Sequence, residues 1–200
     1  MFTQTVQAYK LFCTKDGLLF PLYVDHRTPL EVGVWLEAKP GPLTPKGKVR
    51  SRIGPLAYRP GWHASEFPAA THIGTGGGKG KPRYRPDWHV WALVELPDEV
   101  DWQSEANRRA RRYRNSTKRI ASTAHITDQV PIGGFYRYKT NPNMLGAWLI
   151  SGNMKILRTL SDAEVAFINR MYGVEDLPRR NHGQRHQRSN THPERLYGTV

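Results

Sequence analysis

The sequence predicts an α+β fold of mostly short antiparallel strands with one or two helices, followed by a disordered basic C-terminal tail. Three observations lead to this class. Short apolar and aromatic runs are bounded by Gly- and Pro-rich turns, a capped helix start stands at Ser161, and residues 177–200 show no apolar period. A length of 200 residues suits one domain of ordinary size, and residues 1–176 are expected to form it.

The first part of the chain predicts three strands. Residues 6–12 and 18–24 are β-prone runs separated by the turn signal Lys15-Asp16-Gly17, which predicts an early hairpin. Residues 30–37 alternate apolar and polar side chains, which predicts a third strand. Residues 54–63 (GPLAYRPGWH) combine Gly and Pro with large rings and are interpreted as a structured loop.

The strongest strand lies in the middle of the chain. Residues 88–96 (WHVWALVEL) are apolar almost throughout, which is typical of a central strand. Residues 134–139 predict another strand, and residues 147–150 with 154–157 predict a hairpin around Ser151-Gly152-Asn153.

One helix begins at Ser161. Ser161 and Glu164 have the spacing of a capping box, an apolar face follows from Val165, and Gly173 ends the helix. A second helix is predicted over residues 104–114, although its closely spaced cations repel one another.

Basic charge is concentrated in three segments. Of the net charge of +13, the predicted insertions at 75–86 and 103–120 carry +4 and +6, and the tail at 177–200 carries +4. The rest of the chain therefore has a net charge of −1. A nearly neutral body with basic extensions is typical of proteins that bind a polyanion.

We therefore expect the basic segments to bind DNA or RNA. Residues 75–86 are interpreted as a flexible loop, and residues 103–120 gain most from a polyanion, because each neutralised phosphate releases counterions. The alternative for the second segment is a solvated, mobile loop. The residues assigned to nucleic-acid binding are Lys79, Lys81, Arg83, Arg85, Arg108, Arg109, Arg111, Arg112, Arg114, Lys118, Arg119, Arg137 and Lys139.

The strand at residues 134–139 combines rings with cations. Phe135, Tyr136 and Tyr138 alternate with Arg137 and Lys139 in a pattern that suits base stacking beside phosphate contacts. A strand with one buried ring-lined face and one solvated charged face has the same pattern, and both interpretations stay open.

The aromatic loop is the candidate pocket. Its rings, guanidinium and imidazoles suit a planar ligand that carries a sugar or phosphate. The alternative is that Trp62 and Tyr58 pack against the core while His63 binds backbone. The candidate pocket residues are Tyr58, Arg59, Trp62, His63 and His72.

Composition excludes several classes of protein. No apolar run approaches the roughly 18 residues of a spanning helix, so we expect a soluble cytoplasmic protein without a membrane partner. Cys13 is the single cysteine and cannot form an internal disulfide. The sequence contains no cysteine pair, no His-Glu-x-x-His and no nucleophile elbow, so we predict no metal site and no acyl-transfer serine.

Ten motifs together carry a resemblance that covers about residues 8–178. They are LFPL (19–22), GVWLEA (33–38), KVRS (48–51), GPLAYRPGWH (54–63), ATHIG (70–74), VWALVE (90–95), HITDQ (125–129), YRYKTNPNM (136–144), WLISG (148–152) and LSDAEV (160–165). With these motifs the chain resembles an uncharacterised module that bacteriophages and conjugative elements encode, often within large phage polyproteins. The resemblance implies a phage or mobile-element origin and a place of action in the bacterial host cell.

The order of predicted elements is also similar to an ADP-ribosyltransferase-type fold. That resemblance implies NAD as a cofactor, an Arg or His on the first strand, and a late catalytic Glu. The first predicted strand of this chain offers only Lys10, and the late carboxylate is Glu95, Glu164 or neither. Under this interpretation the candidate catalytic residues are His63 and Glu95.

Three functions follow from these observations. The leading one is a phage or mobile-element accessory protein that binds nucleic acid, or a host complex containing it, through its basic loops and without a cofactor. The second is an NAD-using ADP-ribosyltransferase-like enzyme that modifies a host target. The third is a phage inhibitor that covers an acidic surface of a host defence protein.

Overall fold

The computed structural model describes residues 2–117, 126–139 and 144–179. Within these residues the α+β class is confirmed. The helices are α1 (Gln103–Thr117) and α2 (Asp162–Met171). The strands are β1 (Thr5–Lys15), β2 (Leu18–Phe20), β3 (Trp35–Glu37), β4 (Trp62–Ser65), β5 (Thr75–Gly78), β6 (Lys81–Tyr84), β7 (His89–Pro97), β8 (Val100–Asp101), β9 (Gly134–Tyr138), β10 (Trp148–Ser151) and β11 (Asn153–Thr159).

Nine of the described strands form one sheet. Its order is β3-β11-β7-β1-β4-β10-β9-β8, with β2 paired to β1, and β5 and β6 form a separate hairpin. Most pairs are antiparallel, as predicted, and β8 runs parallel to β9. The predicted early hairpin is confirmed as β1 and β2, and β7 is central as predicted, between β11 and β1.

The sheet is strongly curled. In a flat sheet β10 and β11 would lie four strand spacings apart, about 19 Å. Gly152 alone separates Ser151 of β10 from Asn153 of β11, and two peptide units span at most about 7 Å. The two halves of the sheet must therefore face each other, so that the sheet has an enclosed inner face and an outer face.

Alternation along the strands divides the core between these two faces. The inner face carries Phe12, Val94, Leu149 and Ile156, which form one buried cluster. The outer face carries two further clusters, one under each helix. The cluster under α1 contains Ala106, Tyr136, Tyr138 and Ile150, and the cluster under α2 contains Leu11, Trp91 and Leu160, with Val165 and Ile168 packed against it.

Three sequence-based predictions are wrong, each for a physical reason. Residues 147–150 and 154–157 do not form a hairpin, because β10 pairs with β4 and β9 whereas β11 pairs with β7 and β3. Residues 75–86 are not an irregular loop, because their glycines allow close pairing: a Cβ at Gly76 would lie 2.7 Å from the Pro82 carbonyl oxygen. The folded body also extends beyond residue 176, since the Arg85 amide donates to the Pro178 carbonyl.

The helix predicted at Ser161 is confirmed with its capping box. The Glu164 amide donates to the Ser161 hydroxyl, while the Glu164 carboxylate accepts from the Ser161 amide. The Ser161 amide and hydroxyl, which both donate to the Glu164 carboxylate, and the Arg158 guanidinium lower the pKa of Glu164 to about 2. Gly173 follows the helix with a left-handed φ of +64°, a conformation that glycine adopts without strain.

The second predicted helix is also present, and it extends to Thr117. No helix in the described ranges is long and apolar enough to cross a membrane. The tail predicted to be disordered lies outside the described residues from 180 onward.

Gly152→Ala should lower the free energy of unfolding by about 2–3 kcal/mol, in the range of overpacking substitutions. A Cβ at residue 152 would lie 2.1 Å from the Pro131 carbonyl oxygen, so the backbone at residue 152 and at Pro131 must move apart to accommodate it. Urea denaturation measures the change. Gly17→Ala is the control, because no atom of the described residues lies within 4 Å of a Cβ at this position, so that its cost is only the strain of a left-handed φ of +76°. A loss at Gly152 no larger than at Gly17 would contradict the close approach.

Candidate functional site

The predicted pocket is divided between the two faces of β4. Trp62 points to the inner face, where it packs against the core cluster and its Nε1 donates to the Leu36 carbonyl at 2.9 Å. His63 is the next residue and therefore points to the outer face. The sequence prediction treated these residues as one loop, whereas the strand that begins at Trp62 separates their side chains.

His63 is held on the outer face by backbone. Its Nε2 lies 2.9 Å from the Arg59 carbonyl oxygen, and burial lowers the pKa of His63 to about 4, despite this hydrogen bond. The Arg59 guanidinium extends over the Tyr138 ring and donates to its hydroxyl at 3.5 Å. Arg59 and His63 thus lie in contact, and Tyr58 is half-buried. The neutral imidazole suits a structural role or a hydrogen bond better than proton transfer near neutral pH.

His63 and Glu95 are not brought together. Both lie on the outer face, but the strand registers place His63 level with Leu11 and Glu95 level with Gln7. Four residues along β1 and two strand spacings separate them by about 16 Å. Glu95 forms an ion pair with Lys155 at 2.5 Å. Two groups at this separation cannot act on one reacting atom, so the structure does not assemble the catalytic pair of the transferase hypothesis.

Lys10 is a half-buried cation that the sequence prediction did not include in the pocket. Its Nζ lies 5.5 Å from both the Phe12 and Trp62 ring centroids and donates to the His63 carbonyl at 2.6 Å. No described carboxylate pairs with it, and burial lowers the pKa of Lys10 to about 8. Alternation with Ala8 and Phe12 is the sequence signal that placed this lysine on the apolar face.

Helix α1 presents part of the predicted basic surface. Ala106 and Ala110 are buried against the sheet, and Asp101 accepts hydrogen bonds from the first amides of the helix. Arg108 and Arg111 are exposed on its other side.

Arg109 anchors α1 and is less available to a ligand than its neighbours. It pairs with Asp128 and Glu105, and its guanidinium lies 4.9 Å from the Trp102 ring centroid. The side chains of Arg112 and Arg114, and residues Lys118 and Arg119, lie outside the described part of the chain.

The β5–β6 hairpin presents a second group of cations. Lys79, Lys81 and Arg83 are exposed, and Arg83 donates to the carbonyls of Thr71 and His72 at 3.4 and 3.0 Å. These bonds attach the hairpin to the outer face of the sheet, beside the cluster under α2.

The assignment of Arg85 to nucleic-acid binding is contradicted. Its side chain is 2% exposed and forms an ion pair with Asp176. The guanidinium also donates to the carbonyls of Ile73 and Ala70, so protein groups occupy its donors. Trp91 Nε1 and the Ala70 amide donate to the same carboxylate at 2.8 and 2.9 Å. Arg85 therefore fastens residues 174–179 to the body.

The rings of the β9 strand are not available to bases. Phe135, Tyr136 and Tyr138 are buried, with 5%, 1% and 5% exposure. Phe135 lies in the inner cluster and the two tyrosines lie in the cluster under α1, so rings are buried on both faces of the strand and the predicted division into one ring-lined and one charged face is wrong. Arg137 is exposed and pairs with Glu66 at 3.2 Å, and Lys139 donates to the Met144 carbonyl. The two cations stay candidates for phosphate contacts, whereas base stacking there is excluded by burial.

A different ring lies between the two helices. Tyr9, Ser65, Trp148 and Tyr138 form one row across four strands of the outer face, with Tyr9 in the cluster near α2 and Tyr138 in the cluster under α1. Trp148 is half-buried and packs against both clusters. The exposed His72 ring meets it edge to face at 5.4 Å. No sequence pattern marked Trp148, because only the strand order places it between the helices.

No group of three or more His, Cys, Asp or Glu residues with metal-binding geometry occurs in the described ranges. The chain matches no family model, no curated protein and no solved structure.

Proposed function

We propose that this protein is a phage or mobile-element accessory protein that binds DNA or RNA, or a host complex containing nucleic acid, through α1 and the β5–β6 hairpin. The observation that carries the proposal is the placement of exposed cations from both elements on the outer face of one sheet. The resemblance of the sequence to a phage-encoded module supports a role in the bacterial host cell.

The cations of α1 and of the β5–β6 hairpin are accessible to a polyanion because they are not packed inside the protein. Lys79, Lys81, Arg108 and Arg111 are exposed. Of these four, Arg108 alone forms an ion pair within the described part of the chain, with Glu105 on the same helix. Exposed pairs of this kind contribute less than about 1 kcal/mol, so phosphate can compete for the guanidinium.

Binding should depend steeply on salt. The basic segments carry most of the net charge of +13, and each neutralised phosphate contributes about 0.9 to the slope of log K against log salt for duplex DNA. Four exposed cations on two elements therefore account for a slope of about 3–4.

Replacement of the four exposed cations by Gln should reduce this slope by about 3 and weaken binding at least tenfold at moderate salt. Fluorescence anisotropy with a labelled duplex, a single strand and an RNA hairpin measures both quantities. The test variant carries Lys79→Gln, Lys81→Gln, Arg108→Gln and Arg111→Gln. The control carries the same loss of charge on other exposed residues, Arg27→Gln, Lys39→Gln, Lys46→Gln and Lys48→Gln.

The control separates local binding from total charge. Equal losses in the two variants would show that net charge alone attracts the ligand and would contradict a defined interface. Absence of binding by the unchanged protein at low salt would reject nucleic acid as the partner. An acidic protein surface would then become the stronger candidate.

A further inference from the structure

The strip of outer face around Trp148 differs from the rest of the sheet. The helices cover the two ends of the Tyr9–Ser65–Trp148–Tyr138 row, whereas Trp148 is half-buried and has the exposed His72 beside it. The two rings are perpendicular, with an interplanar angle of 90°. Trp148 packs against both clusters but is only half-buried, so part of the residue stays accessible beside His72, where a base can stack.

Cations flank this strip on both sides. On the hairpin side, Arg83 donates to the carbonyls of Thr71 and His72, next to Trp148. On the α1 side, the Arg59 guanidinium lies over the Tyr138 ring. Neither guanidinium forms an ion pair with a described carboxylate. Partial desolvation and the nearby Arg83 and Arg85 lower the pKa of His72, which favours a neutral ring next to Trp148 near neutral pH.

An aromatic platform between two guanidinium groups matches the chemistry of an unpaired nucleotide. A base stacks on the ring, and the adjacent phosphates contact the cations. In a duplex both faces of each base are already stacked on neighbouring bases, so this arrangement distinguishes single strands from duplexes.

We infer that the protein binds single-stranded nucleic acid, with one base stacked on Trp148 beside His72 and with Arg83 and Arg59 contacting the flanking phosphates. The inference rests on the proposed function and narrows it to a substrate class. It also assigns the interface to the strip between α1 and the hairpin.

The test compares three labelled probes: an oligothymidylate of about 12 nucleotides, within the usual site size, the same backbone without bases, and a duplex of equal length. The unchanged protein should bind the oligothymidylate about tenfold or more tightly than the abasic strand, since one stacked base contributes about 1–3 kcal/mol. Equal affinity for the base-bearing and abasic strands would overturn the inference without requiring any variant.

Trp148→Leu should remove this discrimination and leave duplex affinity within about twofold. Trp88→Leu is the matched control, because Trp88 is 50% exposed and is not part of the strip. Since Trp148 also packs against the core, circular dichroism and a urea midpoint must show that the variant is folded. A folded Trp148→Leu protein that still prefers the base-bearing strand would overturn the stacking role.

Arg59→Gln with Arg83→Gln provides a second test that leaves Trp148 in place. The salt slope for the oligothymidylate should fall by about 1.4, because each phosphate contact on a single strand contributes about 0.7. An unchanged slope would overturn the assignment of these two cations. Tight binding without a base preference and without a change of slope would contradict the stacking site at Trp148 but not the proposed function. Absence of binding to every probe would contradict the proposed function itself.

Discussion

Asp176→Asn is expected to lower the free energy of unfolding by about 3–5 kcal/mol, the usual loss when one partner of a buried ion pair is removed. Asp176 is 9% exposed and is the counter-charge of Arg85, which is 2% exposed. The neutral amide leaves the Arg85 charge without compensation inside the protein. It also weakens the acceptor for Trp91 Nε1 and for the Ala70 amide. Urea denaturation followed by circular dichroism measures the loss.

Asp162→Asn is the control in the same region. Asp162 pairs with Arg179 at 2.9 Å but is 66% exposed, so its loss should amount to less than about 1 kcal/mol. Similar losses at the two positions would contradict the buried role of Asp176.

The double variant Arg85→Met with Asp176→Leu should recover much of the stability that Asp176→Asn loses, because replacing a whole buried ion pair by apolar side chains is often neutral or stabilising. Failure to recover would indicate that hydrogen bonds to Asp176, rather than the charge, stabilise the site.

Acidification should destabilise the fold well above the pKa range of carboxylates. Burial lowers the pKa values of His63 and His89 from 6.5 to about 4; Arg85, Arg52 and Arg179 contribute at His89. The unfolded chain therefore binds protons first as the pH falls below 6.5. The stability that the folded state gains from keeping these imidazoles neutral is fully present above pH 6.5 and is lost progressively as the pH falls to about 4. The expected loss at about pH 4.5 is about 2.5 kcal/mol for each imidazole.

Urea titrations at about pH 7.5 and about pH 4.5 measure this pH dependence. His89→Gln should reduce the acid-induced loss by about half, because Gln does not titrate. His89 is suited to this test because the residue is only 7% exposed and its Nδ1 has no hydrogen-bond partner in the described residues, so that replacing the imidazole breaks no hydrogen bond of Nδ1. An acid-induced loss that is identical in the variant and the unchanged protein would contradict the assignment of this loss to His89.

Local patterns predicted the elements whose stability is itself local. The helix at Ser161 follows from the capping box of Ser161 and Glu164, which joins residues three positions apart. The strand β7 follows from an uninterrupted apolar run, and the turn at Lys15-Asp16-Gly17 from its residue types. At the candidate site, Arg59 and His63 are close in the chain and remain in contact in the fold, and Lys79, Lys81, Arg108 and Arg111 are exposed.

The other site residues depended on partners far away in the chain. Arg85 has the same local context as Arg83, yet one is buried against Asp176 and the other is exposed. Trp62 and His63 are neighbours in sequence but point to opposite faces of β4. Trp148 becomes a platform only because β10 lies between β4 and β9.

Local sequence patterns were enough to predict the α+β class, the capped helix and the central strand, and the composition showed that basic charge is concentrated in separate segments. Each of these depends on composition or on contacts between residues close in the chain. The tertiary structure alone decided that β10 and β11 part at Gly152, that Arg85 is buried, and that His63 and Glu95 lie apart. Those outcomes depend on strand order and on the curl of the sheet. They are fixed by packing between residues more than 50 positions apart, which no local pattern encodes.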